Sequence, residues 1–280
     1  MVRGGVAVVG GAEENRAEGS TDGSAGGSGV RRSVLVVQNT PSGGPGRVGD
    51  GLREAGLDLE VVQAHAGEPL PRLLGRRALL VLGGGYLPGE DERAPWLPAV
   101  RRLTAQALED GRPMLGICLG GQLLAEVAGG RVRGRYGPPE FGSTPIRMRP
   151  EAGADPLFGP LPAVAPAIER HVDAITELPP DAVWLADSER CPHQAFRVGD
   201  AAWGVQFHPE VPAGRIGAWA PGPLREQGYD RDELLRRALA AEPAASAAWT
   251  AFTARFAAAV AGSGARTEAP NAPRARPGAP

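Results

Sequence analysis

Two stretches of the chain hold residues able to do chemistry together. In the first, Gly116-Ile117-Cys118-Leu119-Gly120-Gly121-Gln122 follows the apolar Pro113-Met114-Leu115 and runs into Leu123-Leu124-Ala125-Glu126-Val127. A short buried strand that turns abruptly into a helix, with glycines around one nucleophile-capable residue, is the layout of a nucleophile elbow. A free thiol is only a few per cent ionised at neutral pH, but a helix N-terminus and a nearby imidazolium both favour the thiolate. Gly116 and Gly120 lack the β-carbons that would block a tight turn. The backbone N–H of Leu119 would face an oxyanion formed beside Cys118, and Gln122 lies one helical turn on, on the same face. Taken alone, the pattern also describes a cysteine that is merely a small buried hydrophobe.

The second stretch supplies what a thiol needs. Trp203-Gly204-Val205-Gln206-Phe207 reads as a strand and leads into His208-Pro209-Glu210. Proline holds the preceding His208 extended, and in an extended chain residues two apart project to one side. Glu210 can therefore hold one nitrogen of His208 while the other faces a sulfur, the nucleophile, base and orienter logic of covalent catalysis. Cys191 precedes a proline outside both stretches and reads as structural. The four histidines and two cysteines do not fall at zinc-ligand spacing. Gly43-Gly44-Pro45-Gly46 has neither a phosphate-loop lysine nor dinucleotide spacing. No metal and no cofactor are expected.

The elements around these stretches alternate. Ser33 to Val37 is a continuous apolar run of the kind buried on both faces of a sheet; Leu59 to Val62 and Ala78 to Leu82 read as further strands. Val48 to Ala55 reads as a short helix. Leu97 to Leu108 reads as a helix too, with Leu97, Val100, Leu103, Thr104, Ala107 and Leu108 at core-facing spacing. Strand and helix in alternation imply a parallel sheet covered on both faces, with chemistry collected at the carboxyl ends of the strands. After Gly129-Gly130 the segments shorten (145–148, 163–169, 182–186, 194–198 and 202–207), and the Pro and Gly between them point to antiparallel hairpins at one side of the sheet. Residues 231–261 read as Ala-rich helix divided at Pro243.

The formal net charge of -2 in 280 residues gives no basic field for nucleic acid. Every cationic side chain is arginine, which removes lysine as a Schiff-base nucleophile. Two cysteines make no disulfide framework, and no apolar run reaches the roughly 20 residues of a membrane span. The expectation is a cytoplasmic protein with no membrane or nucleic-acid partner. Residues 1–31 and 263–280, rich in Gly, Ser, Pro and Ala, are expected to be a disordered leader and tail. Between them, 32–218 is expected to form the catalytic domain and 219–262 C-terminal helices packed on it.

The quoted runs resemble the class I (triad-type) glutamine amidotransferases, and among them stand-alone proteins similar to the glutaminase domain of GMP synthase. The resemblance rests on Gly116 to Gln122, on Val205 to Glu210, and on the strand-loop Leu82-Gly83-Gly84-Gly85. It also includes His171-Val172-Asp173 before Leu178-Pro179, and Glu189 to Pro192 before Gln194-Ala195-Phe196, and it covers residues 33 to 211 in order. It implies a flavodoxin-like, open, mostly parallel sheet with helices on both faces and a small antiparallel extension. It implies that Cys118 attacks the glutamine side-chain amide, that His208 carries the proton and that Glu210 orients His208. It also implies that the N–H groups of Leu119 and Gly84 meet the oxyanion, and that Gln122, His171 and Asp173 line the substrate pocket. Valine and arginine stand at 172 and 170, where that family has glycine and a small polar residue.

Three readings follow. The first is a glutamine hydrolase freeing ammonia for a separate synthetase or acceptor subunit. The second is a γ-glutamyl peptidase or hydrolase acting alone. The third is a non-catalytic or redox-sensing protein on the same fold, with Cys118 as the sensor.

Overall fold

A computed structural model of the chain describes residues 32–263. The leader expected over 1–31 and the tail expected beyond Ser263 lie outside the described residues.

The apolar runs become strands. β1 (Ser33–Gln38), β2 (Asp58–Gln63), β3 (Ala78–Val81) and β4 (Met114–Ile117) alternate with α1 (Gly46–Glu54) and α2 (Leu97–Glu109), and α3 (Leu119–Val127) follows β4 after one residue. Then come β5 (Arg131–Arg133), β6 (Glu140–Met148), β7 (Val164–His171), β8 (Ala174–Glu177), β9 (Val183–Asp187), β10 (Ala195–Val198) and β11 (Ala202–Val205). Two helices end the described chain, α4 (Pro221–Glu226) and α5 (Arg231–Gly262).

Nine strands form one open sheet in the order β2-β1-β3-β4-β11-β10-β9-β6-β7, and β5 pairs with β8 apart from it. The pairings from β2 through β11 are parallel, and those from β11 on to β7 are antiparallel. The parallel half and the antiparallel side expected from the sequence are both present.

Alternation along the strands divides the core in two. Val34 and Val36 of β1 face one layer with Val48 and Leu52 of α1 and the Trp249, Phe252 and Phe256 rings of α5. Leu35 and Val37 face the other, with Leu97, Val100 and Leu103 of α2 and Leu119 and Leu123 of α3.

Pro243 does not divide the last helix: α5 runs unbroken for 32 residues with the proline inside. A proline costs such a helix one hydrogen bond and some strain. Here Ala245, Ala248, Trp249, Phe252 and Phe256 are buried just beyond it, and burying one large apolar side chain is worth about 1.5–3 kcal/mol. The packing outweighs the defect. The N-terminus of α5 is closed by the Asp230 carboxylate, which accepts from the Glu233 N–H at 2.9 Å. Among the described residues, no helix is long and apolar enough to cross a membrane.

Candidate active site

β3, β4 and β11 are neighbours in the sheet, and the functional stretches leave from their carboxyl ends. The glycine loop 82–85 follows β3, Cys118 follows β4, and His208 lies three residues beyond β11. Cys118 occupies the corner between β4 and α3 with φ 52° and ψ -107°, a conformation that L-residues rarely adopt. The corner is tight: a β-carbon on Gly120 would run into the backbone of Val81, so only glycine fits there. The backbone N–H of Cys118 donates to Val205 O at 2.7 Å and its carbonyl accepts from the Gln122 N–H at 2.9 Å, which locks the turn to β11 and to α3.

His208 is held from two sides. Its backbone N–H donates to Ile168 O of β7 at 2.8 Å, and its ring Nδ1 lies 2.8 Å from Glu210 Oε1. The ring and Cys118 both border one cavity, and the sulfur is close enough to act on the ring electrostatically. Burial opposes charge on the ring, yet the Glu210 carboxylate and the Cys118 sulfur outweigh it and hold the His208 pKa well above its ordinary value. Gly83 closes the third side: a β-carbon there would sit 2.9 Å from His208 Cε1 and 3.4 Å from Cys118 Cβ. The Glu210 carbonyl accepts from the Arg47 N–H at 3.1 Å. The Arg47 guanidinium reaches Val211 O at 3.3 Å and Glu242 Oε1 at 2.7 Å, and Glu242 Oε2 accepts from the Ala213 N–H at 2.9 Å. Through Glu242, α5 braces the segment that carries His208 and Glu210.

A cavity of about 420 Å³ opens over Cys118. Gly83, Gly84, His208 and Glu210 line it, as do Arg170 and Trp219. Leu119 begins α3 directly after the cysteine. A β-carbon on Gly84 would lie 2.8 Å from Leu119 Cδ2, so the two expected oxyanion donors sit on adjoining backbone segments. The loop is pinned by Asn39, which donates to Leu82 O at 2.7 Å and accepts from Trp96 Nε1 at 2.9 Å.

Of the three residues expected to bind substrate, none is among the residues that line the cavity. Gln122 is buried and donates to Gln206 Oε1 at 3.1 Å, while Gln206 Nε2 lies 3.6 Å from Cys118 Sγ. The Asp173 side chain accepts from the Arg135 N–H at 2.9 Å. His171 turns inward, with Nε2 3.1 Å from Glu140 Oε2 and Nδ1 2.9 Å from Asp173 O. The period of two along β7 explains this. Glu169 and His171 share the inner face, and Ile168 and Arg170 share the face that lines the cavity.

The inner face belongs to a buried polar network. Glu140 accepts from Ser188 Oγ at 2.8 Å and from Gln194 Nε2 at 2.8 Å, as well as pairing with His171. Burial lowers the His171 pKa, but its bond to Glu140 and the nearby Glu169 prevail and raise it to about 9. Burial raises the Glu169 carboxyl to about 8, and it pushes the Cys191 thiol up as well. Donor atoms of Glu140, His171 and Cys191 lie within 4.8 Å of one another. That is close enough for metal ligation, yet the Glu140 oxygens are already engaged and the Cys191 thiol holds its proton. These residues fit a hydrogen-bonded core better than an ion.

The sequence model of the family described as "Glutamine amidotransferase class-I" matches residues 46–219. The chain belongs to the class-I glutamine amidotransferase family. Within it, the chain is 38% identical over 160 residues to GMP synthase [glutamine-hydrolyzing] of Aeropyrum pernix, covering 57% of this chain and 29% of that protein. It is 35% identical over 137 residues to one subunit of the same-named enzyme from Methanopyrus kandleri, covering 49% of this chain and 68% of that one. The chain thus spans under a third of the Aeropyrum relative. Among solved structures, a glutamine amidotransferase of Methylobacillus flagellatus superposes with a TM-score of 0.72 at 26% identity, over 82% of this chain and 95% of that one. One from Thermotoga maritima gives 0.72 at 27%, over 81% and 98%. This class-I glutamine amidotransferase has the open, mostly parallel, flavodoxin-like sheet expected from its motifs.

Sequence reasoning assigns no role to Gln206, Arg170 or Trp219. The alternation Ile168-Glu169-Arg170-His171 is the available signal for Arg170, since it puts the arginine opposite the histidine.

Proposed function

We propose that the protein hydrolyses the side-chain amide of glutamine through a γ-glutamyl thioester on Cys118, and that the ammonia passes to a separate acceptor enzyme. The observation that carries this reading is the grouping of Cys118, at a strand-to-helix corner, with the His208 ring across Gly83 in one cavity, the ring in turn held by Glu210 at 2.8 Å.

Sγ attacks the amide carbon with its proton held on His208, and Glu210 holds that imidazolium. The N–H groups of Leu119 and Gly84 meet the oxyanion; one such donor is worth about 3 kcal/mol in the transition state. Collapse breaks the C–N bond as His208 returns its proton to the departing ammonia. Water, deprotonated by the same imidazole, then cleaves the thioester and frees glutamate. In support of a separate acceptor, relatives from Pyrococcus abyssi and Methanopyrus kandleri are each named as one subunit of GMP synthase, a name that speaks for a second polypeptide.

Glutamate release from glutamine is the test, with the purified wild type and Cys118→Ala. Activity that depends on the cysteine, with a γ-glutamyl adduct seen on Cys118 by mass spectrometry, is expected. Undiminished release by the alanine variant would remove the thioester route.

A further inference from the structure

Two arginines on the outer wall of the cavity have no carboxylate to answer them. Among the described residues the Arg170 side chain makes no hydrogen bond or ion pair, and its guanidinium lies over the Trp219 ring, 5.1 Å from the centroid. Arg215 donates to the Ser42 carbonyl at 3.0 Å and likewise has no acidic partner. Both line the cavity, and the carboxylate that also reaches it, Glu210, is engaged by His208. The Cys118 sulfur is close enough to act electrostatically on Arg170. A cation–π contact of this kind restrains the arginine, and a guanidinium can grip a carboxylate with both arms.

Their position tells which part of a substrate they meet. In amide cleavage the departing amine must lie against the imidazole that protonates it, and the carbonyl oxygen against the opposite, oxyanion side. Arg215 and Trp219 lie on the segment just after His208-Pro209-Glu210, and Arg170 lies two residues from Ile168, whose carbonyl accepts the His208 N–H. Both cations are thus carried by segments that also hold the His208 base, and both line the cavity with it. Ammonia offers them nothing to bind. The cavity, at about 420 Å³, is in the range that encloses ligands well beyond a single amino acid, roughly 300–1,000 Å³.

We infer that Arg170 and Arg215 form a carboxylate subsite for the amine portion of the substrate, so that the site takes γ-glutamyl amides of amino acids in addition to glutamine and prefers them to N-alkyl γ-glutamyl amides that lack that carboxylate. This inference rests on the thioester reading above. The C–N bond breaks as before, the proton from His208 goes to the amino acid's nitrogen, and that amino acid leaves in place of ammonia while water later releases glutamate.

The experiment compares kcat/KM for glutamine, γ-glutamylglycine and γ-glutamylethylamide, using the full chain as wild type, Arg170→Met, Arg215→Met and Cys118→Ala. γ-Glutamylglycine and γ-glutamylethylamide differ in the leaving-side carboxylate. A preference of roughly ten- to a hundred-fold for γ-glutamylglycine is expected, of the size a charge-assisted contact supplies. Each arginine variant should erase most of it. Equal turnover of the glycine and ethylamide compounds overturns the subsite. So does an equal loss on all three substrates in the arginine variants, which would assign the arginines to the α-carboxylate of the glutamyl group. If glutamine is hydrolysed through Cys118 without the preference, the subsite alone fails. If no substrate is turned over, or turnover survives Cys118→Ala, the thioester reading falls and the subsite with it.

Discussion

Cys118→Gly should give a more stable protein than Cys118→Ala, although neither can form a thioester. Both remove the sulfur, so the comparison isolates the β-carbon at a backbone with φ 52° and ψ -107°. That ψ misses even the small left-handed well open to L-residues, which puts the strain near the upper end of the usual range, about 2–3 kcal/mol. Two losses offset its relief. Glycine frees the unfolded chain by about 0.5–1 kcal/mol, and a buried methyl contributes at most about 0.8 kcal/mol. The balance is about 1 kcal/mol in favour of glycine, or about 2–4 °C in Tm for a domain of this size. Thermal unfolding followed by circular dichroism, with urea midpoints as a check, measures it. A glycine variant melting at or below the alanine variant would refute the claim that the corner is strained.

Replacing Glu210 by Gln keeps its size and removes the charge that holds the His208 ring, whose Nδ1 lies 2.8 Å away. Turnover of glutamine by the folded variant should fall by about 10³–10⁴-fold, because the wrong tautomer then faces the thiol; a loss under tenfold would remove Glu210 from the relay. The buried network makes stability fall as pH rises. His171 and Glu169 have folded-state pKa values raised to about 9 and about 8, above the ordinary 6.5 and 4.5, so the folded state binds protons that the unfolded chain has lost. Their contribution is complete at low pH and is lost as pH climbs through 8 and 9, at up to about 1.4 kcal/mol per pH unit for each group. Urea midpoints between pH 6 and pH 9.5 should therefore decline; a flat or rising profile would contradict the assignment, and Glu169→Gln should flatten the part below pH 8.

What the residues announce, and what they hide, follows the difference between apolar pattern and polar pairing. Val34 to Val37 and Met114 to Ile117 are wholly buried strands whose composition leaves little choice. The corner at Cys118 can be read because glycines on both sides allow it. β6 begins at Glu140, five residues before the start read from the apolar pattern at Pro145, because its first residue is a buried carboxylate matched by Ser188, Gln194 and His171. No hydrophobic period reports such a match. Strand alternation pairs His171 with Glu140 and puts Arg170 on the cavity wall, a polar match that no apolar period reports. Local propensity makes Pro243 look like a boundary, and the buried rings beyond it override that preference.

The tie made by Glu242 also sets an order of events. Cys118, His208 and Glu210 all precede α5 in the chain, but the carboxylate that joins the Arg47 guanidinium to the Ala213 N–H stands thirty-two residues further on than Glu210. A polypeptide still emerging from the ribosome has its sulfur and its base well before it has that fastening. The support of the reactive pair is thus completed late, by the last helix to be synthesised among the described residues.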